Sequence, residues 1–139
     1  MGPAGSNDVS LPGMNSTITT PKLADNGSNW VDYKTKVLIA MGSRGLMGHI
    51  EGRAQKPKPY TLVNDQAVLA DGKTPANEDQ LEAREKRIED FDTKQYLARY
   101  IIINSVSLRM AQNIGKLKSA KDMWDAVVKD SEGKPCYTR

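Results

Sequence analysis

From Leu23 onward, apolar residues recur at three- and four-residue steps in blocks separated by glycine- or proline-bearing stretches. That pattern predicts a mostly α-helical domain. In the first block, Trp30, Tyr33, Val37, Leu38 and Met41 share one helical face, with Ser28 or Asn29 as N-cap and Lys34 and Lys36 on the wet side. Gly42 is positioned to close this helix. The stretch "SRGLMGHIEG" then allows one or two short turns, with Leu46, Met47 and Ile50 as its apolar residues and Gly52 as its stop.

The longest block begins at Asn77. An acceptor side chain at the cap is followed by Glu78, Asp79 and then Gln80 three residues on, which is a capping box with acids near the positive end of the helix dipole. Leu81, Ile88, Phe91, Ala98, Ile102 and Ser105 form a stripe averaging about 3.5 residues per step. Glu82 with Lys86, and Asp90 with Lys94, are acid-first pairs four residues apart. The first half of this helix reads as amphipathic and charged. The second half, "YLARYIIINSV", is apolar nearly all round and is expected to run through the middle of the domain. Its three consecutive isoleucines would also suit a strand, but the helical register leading into them argues for helix. A short turn through Leu108, Met110 and Ile114 ends at Gly115, and Ser119 with Asp122 opens a last helix that offers Met123, Trp124, Val127 and Val128 to the core.

Between these blocks the pattern disappears. Residues 53–77 carry three prolines and no helical period, and a connection of that length usually has a task or structure of its own. Within it, "YTLV" and "QAVL" flank Asn64-Asp65, residue types that tolerate the positive φ of a two-residue turn, so a small β-hairpin is expected there. Residues 1–21 are rich in Gly, Ser, Thr, Asn and Pro and read as a disordered tail, whose opening "MGPAGS" is compatible with an expression remnant. The organisation expected is thus a tail over 1–21, a helical lobe over 22–130 and a linker over 131–139.

Composition narrows the chemistry. A chain of 139 residues with 38% hydrophobic content fits one domain with a small core. One cysteine, Cys136, and one histidine, His49, supply neither an intramolecular disulfide nor a structural zinc site, and a reducing, cytoplasmic compartment suits such a chain. The net charge of +3 is small because 20 basic residues face 17 acidic ones. No apolar run reaches the roughly 20 residues that span a bilayer.

Each candidate site has a plainer structural explanation. Gly42, Gly45 and Gly48 are spaced G-x-x-G-x-x-G, follow a helix rather than a strand, and lack a Lys-Ser/Thr pair. They read as helix punctuation rather than a phosphate loop. His49 reads as a partly exposed residue on a short helix, and the acidic cluster from Glu78 to Asp92, interleaved with Arg84, Lys86 and Arg87, as a solvated face. Arg53, Lys56 and Lys58, with Lys34, Lys36 and Arg44 upstream, form the candidate RNA contact. Trp30, Leu38, Phe91, Ile101, Ile102 and Trp124 are the expected core anchors. No residue set supplies a base, a nucleophile or a metal, so no enzyme activity, cofactor or metal is expected.

The order "NWVDYKTKVLIAMGSRGLMGHIEG", proline-bearing loop, "FDTKQYLARYIIINSVS", "LKSAKDMWDAV" resembles the N-terminal part of the Gag polypeptide of copia-type LTR retrotransposons, in a form like fungal copies. The residues carrying the resemblance are Trp30, Gly45, Leu46, Ile50, Gly52, Phe91, Ile101, Ile102, Ser105, Ser119, Ala120, Lys121 and Trp124, within residues 21–130. The resemblance implies a small helical bundle like a retroviral or retrotransposon capsid N-terminal domain, a structural module whose copies assemble into a shell around RNA. Its partner would be itself, with RNA reached through other Gag regions and no membrane involved. In that family further helices and often a CCHC zinc knuckle follow, so residues 131–139 would lead toward a second lobe. Leu46, Met47 and Ile50 are the expected assembly surface, together with the 53–77 loop. Two other classes of function fit the same residues: an RNA-binding or RNA-chaperone domain using the early basic segment, and an adaptor that holds peptides in a groove between helices.

Overall fold

The computed structural model describes residues 8–10 and 17–133. Five helices and four short strands follow one another as β1 (Asp8–Ser10), β2 (Thr17–Thr19), α1 (Trp30–Ser43), α2 (Met47–Glu51), β3 (Thr61–Val63), β4 (Gln66–Val68), α3 (Glu78–Asn104), α4 (Leu108–Ile114) and α5 (Ala120–Glu132). The expected mostly helical class with one hairpin in the 53–77 connection is what the chain adopts.

The core is built where the apolar stripes meet. Helix α1 contributes Trp30, Tyr33, Val37 and Met41; α3 contributes Leu97, Ala98, Ile101 and Ile102; α4 contributes Met110 and Ile114; and α5 contributes Ala120, Met123, Trp124 and Val127. Trp30, Tyr33 and Trp124 form an aromatic cluster with ring centroids 5.9 to 6.2 Å apart, within the range of favourable offset and tilted contacts. Helix α3 is 27 residues long, about 40 Å. Only its second half is embedded, and its isoleucines are helical.

The caps explain where these helices start. Asn77 accepts from the Gln80 amide at 2.8 Å while the Gln80 side chain accepts from the Asn77 amide at 2.9 Å, completing the box. Ser107 and Ser119 cap α4 and α5 one way only, each side chain accepting from the backbone amide three residues on, and Gln95 of α3 accepts from the Ala120 amide at 2.6 Å, fastening the start of α5 to the long helix. Between β3 and β4, Asn64 and Asp65 have φ of 50° and 64°, the left-handed pair that a two-residue hairpin turn needs.

Several expectations are corrected. Asp8–Ser10 pairs antiparallel with Thr17–Thr19, so the stretch assigned to a disordered tail contains a two-stranded ladder; the MGPAGS opening lies outside the described residues. Helix α1 runs past Gly42 to Ser43, and the left-handed residue is Gly45 at φ +71°. Asn29 precedes α1 without capping it: its side chain accepts from the Ala24 amide and donates to the Lys22 carbonyl, each at 2.8 Å, holding the incoming segment instead. Helix α5 continues through Glu132 with Ser131 buried, so the folded unit passes the expected boundary at 130. Of the expected anchors, Leu38 and Phe91 are only half-buried. Phe91 lies at the stage of α3 where the helix emerges from the core, and packs its ring on His49 at 4.8 Å.

Candidate assembly surface and basic segment

The glycine-bearing turn determines what α2 can present. Because Gly45 turns the chain by a left-handed residue, Leu46 is driven inward beneath the end of α1, its amide donating to the Met41 carbonyl at 2.9 Å. Leu46 is fully buried and Ile50 is 3% exposed; both belong to the core, and only Met47 stays half-buried at its edge. The expected assembly surface over Leu46, Met47 and Ile50 is therefore corrected: a residue whose side chain already fills the core of its own chain has none left for a neighbour. The same geometry excludes a phosphate loop. Gly42 lies within α1, Gly45 follows a helix, and Gly48 packs toward Ala54 inside α2.

At the outer edge of α2, Gly52 takes φ +79° and ends the helix against the Lys121 side chain of α5. A Cβ placed on Gly52 would come 2.5 Å from Lys121 Cδ, so the close approach of α2 and α5 uses the missing side chain. His49, expected to be partly exposed, is 6% exposed, and its Nδ1 has no hydrogen-bond partner among the described residues. Burial pulls its pKa below the ordinary histidine range, the Lys94 charge adds to that, and Asp90 opposes it. Together with Phe91 it floors a cleft of about 450 Å³ between α2 and α3, rimmed by Lys86, Arg87 and Lys94.

The basic segment is tied down along α3. Lys56 pairs with Asp92 at 3.1 Å, the Lys58 carbonyl accepts from Arg84 at 2.6 Å, and the Arg84 guanidinium sits 4.4 Å from the centre of the Tyr60 ring. Arg53 pairs with Glu51 at 2.6 Å. These ion pairs are exposed and individually weak. The contacts of Lys56, Lys58 and Tyr60 lay residues 56–60 on the acidic half of α3, where Asp92 partly matches Lys56, while Arg53 is partly matched by Glu51 of α2. Lys34 is matched likewise by Glu132 at 3.2 Å, which also accepts from Trp30 Nε1. The arrangement dilutes the basic patch rather than concentrating it.

Apolar side chains do reach the surface elsewhere. On α1, opposite its core face, Val31 is 62% and Ile39 66% exposed. On the back of α3, Tyr96 and Tyr100 are exposed one turn apart, and Leu108 stands out at the start of α4. The hairpin shows Leu62 and Val63. In the sequence, Val31 and Ile39 fall between the residues of the stronger core stripe; what marks them is that α1 has apolar residues on two faces, more than a helix covering one core requires.

Among the described residues, no group of His, Cys, Asp and Glu is arranged to hold a metal ion, and no helix is long and apolar enough to cross a membrane. Compared with models of known protein families, with curated proteins and with solved structures, the chain has no significant match.

Proposed function

We propose that the chain is a helical assembly module, the counterpart of the N-terminal capsid lobe of a copia-type retrotransposon Gag polypeptide, which self-associates into a shell around RNA. The observation that carries the reading is where the residues of the resemblance fall. Trp30, Leu46, Ile50, Ile101, Ile102, Ser105, Ala120 and Trp124 are all buried, and Gly45 and Gly52 hold the two positive-φ positions that shape α2. Phe91 and Ser119 are half-buried and Lys121 is exposed, so most, though not all, of the residues of the resemblance belong to the core and its turns. Exposed apolar residues on α1, α3 and α4 provide material for contacts between copies. The chemistry is non-covalent: each contact is small and reversible, and affinity arises from repeating it under symmetry.

Sedimentation velocity across a wide concentration range, with negative-stain microscopy of the concentrated protein with and without RNA, tests the reading. Concentration-dependent association and regular particles or arrays are expected. A strict monomer at millimolar concentration, with RNA present or absent, would overturn it.

A further inference from the structure

Helix α1 is apolar on two sides. Tyr33, Val37 and Met41 face the core, and toward the opposite side lie Val31, Thr35 and Ile39, with half-buried Leu38 between the two sides and with Val31 and Ile39 among the most exposed apolar residues described. We propose that this outer face of α1 is a two-fold contact with a second copy of the chain, the two α1 helices lying antiparallel about an axis through Thr35. The inference rests on the assembly reading above and names the surface it uses.

The order of residues along the face is symmetric about Thr35. Val31 and Ile39 stand four residues to either side, about 6 Å along the helix axis. An antiparallel neighbour therefore brings Ile39 of the second copy level with Val31 of the first, and the reverse at the other end, while the small Thr35 side chains meet at the crossing. Charge agrees with the same arrangement. Asp32 and Lys36 occupy one flank of the stripe and pair within the chain at 3.1 Å, both well exposed. In the antiparallel pair, Asp32 of one copy and Lys36 of the other lie on the same flank within about 3 Å of one level. The two intrachain pairs, one in each copy, can therefore be exchanged for two pairs across the axis. On the opposite flank the Lys34 side chains approach each other, and each is already matched by Glu132 at 3.2 Å.

A shallow groove of about 630 Å³ runs beside the stripe, lined by Trp30, Val31, Lys34, Thr35, Leu38 and Glu132, and gives the neighbour's side chains somewhere to seat. The extent of the contact suits its use. One face of a 14-residue helix, about 21 Å long, buries a few hundred Å² per copy, well below the roughly 800 Å² of a stable interface. A contact of that size is weak alone and effective when repeated.

Sedimentation equilibrium of the full chain tests the contact, with circular dichroism to verify folding of each variant. The Val31→Asp/Ile39→Asp double variant is expected to weaken self-association more than about tenfold. Asp32→Lys and Lys36→Asp are each expected to weaken it, and an equimolar mixture of those two single variants is expected to associate about fivefold more tightly than either alone, because the mixture restores both cross-axis pairs. Association unchanged in the Val31→Asp/Ile39→Asp variant, or a mixture no tighter than its components, overturns the two-fold contact and leaves the assembly reading standing. A wild-type chain that stays monomeric throughout overturns both.

Discussion

Tyr33 Oη and Ser105 Oγ lie 2.7 Å apart in the core, joining the first turn of α1 to the C-terminal end of α3. Ser105 Oγ is also 3.0 Å from the Ile102 carbonyl, to which only its own proton can be given, so Tyr33 donates and Ser105 accepts. The Ser105 carbonyl in turn accepts from the Leu23 amide at 2.8 Å. One small polar residue at the end of an apolar helix thus satisfies a buried phenol, closes its own helix and anchors the segment entering the domain.

The two halves of this pair are expected to respond unequally to mutation. Tyr33→Phe removes the donor but leaves Ser105 bonded to the Ile102 carbonyl, so a loss of about 0.5 to 1.5 kcal/mol is expected. Ser105→Ala strands the Tyr33 hydroxyl without a partner, and about 1 to 3 kcal/mol is expected. Urea denaturation of both variants checks the order; a larger loss for Tyr33→Phe would contradict the assignment of donor and acceptor.

Stability is expected to fall at both ends of the pH scale for separate reasons. Burial pushes the Tyr33 phenol up to about 12, with the Ser105 hydrogen bond opposing it, so between about pH 10 and 12 the folded chain holds a proton that the unfolded chain has lost. Stability is therefore full below pH 10 and is lost as pH rises toward 12, and Tyr33→Phe removes that dependence. His49 has the opposite sign: its pKa is lowered by burial and by Lys94, so its contribution is complete above the unfolded value near 6.5 and is lost as pH falls through the lower folded value. Denaturation at pH 8, 6.5 and 5 on wild type and His49→Gln isolates this, with a shallower acid loss expected in the variant.

Gly45→Ala and Gly52→Ala are each expected to cost about 1 to 2 kcal/mol, since both positions are left-handed, with φ of +71° and +79°. They differ in surroundings: a Cβ at Gly45 meets open space, whereas one at Gly52 meets the Lys121 side chain. Lys121 is flexible at its far end, so adding Lys121→Ala to Gly52→Ala is expected to recover little. Full recovery in the double variant would place the cost in the contact rather than in the backbone.

RNA affinity is expected to be weak and only mildly salt-dependent, because Arg53 and Lys56 have acidic partners. Neutralising Arg53, Lys56 and Lys58 together is expected to change the slope of log affinity against log salt by less than about 2. A steep slope that collapses in the triple variant would favour the RNA-binding reading of the segment instead.

The local grammar of the chain determined a good deal. The capping box at Asn77 and Gln80, the Asn64-Asp65 turn, the stop at Gly52, and the starts at Ser107 and Ser119 all involve groups within a few residues of each other, whose energetics are decided by short-range geometry. Packing was another matter. Leu46 and Ile50 are as apolar as Val31 and Ile39, and no local rule says which pair will be covered; the packed core takes in the first pair and leaves the second in the open. The state of His49 and the pairing of Lys56 with Asp92 also depend on partners 36 to 45 residues away in the chain, brought close only when the helices pack. Periodicity specifies that a helix has an apolar face, but burial is a property of the space between elements, and that space exists only once the chain has folded.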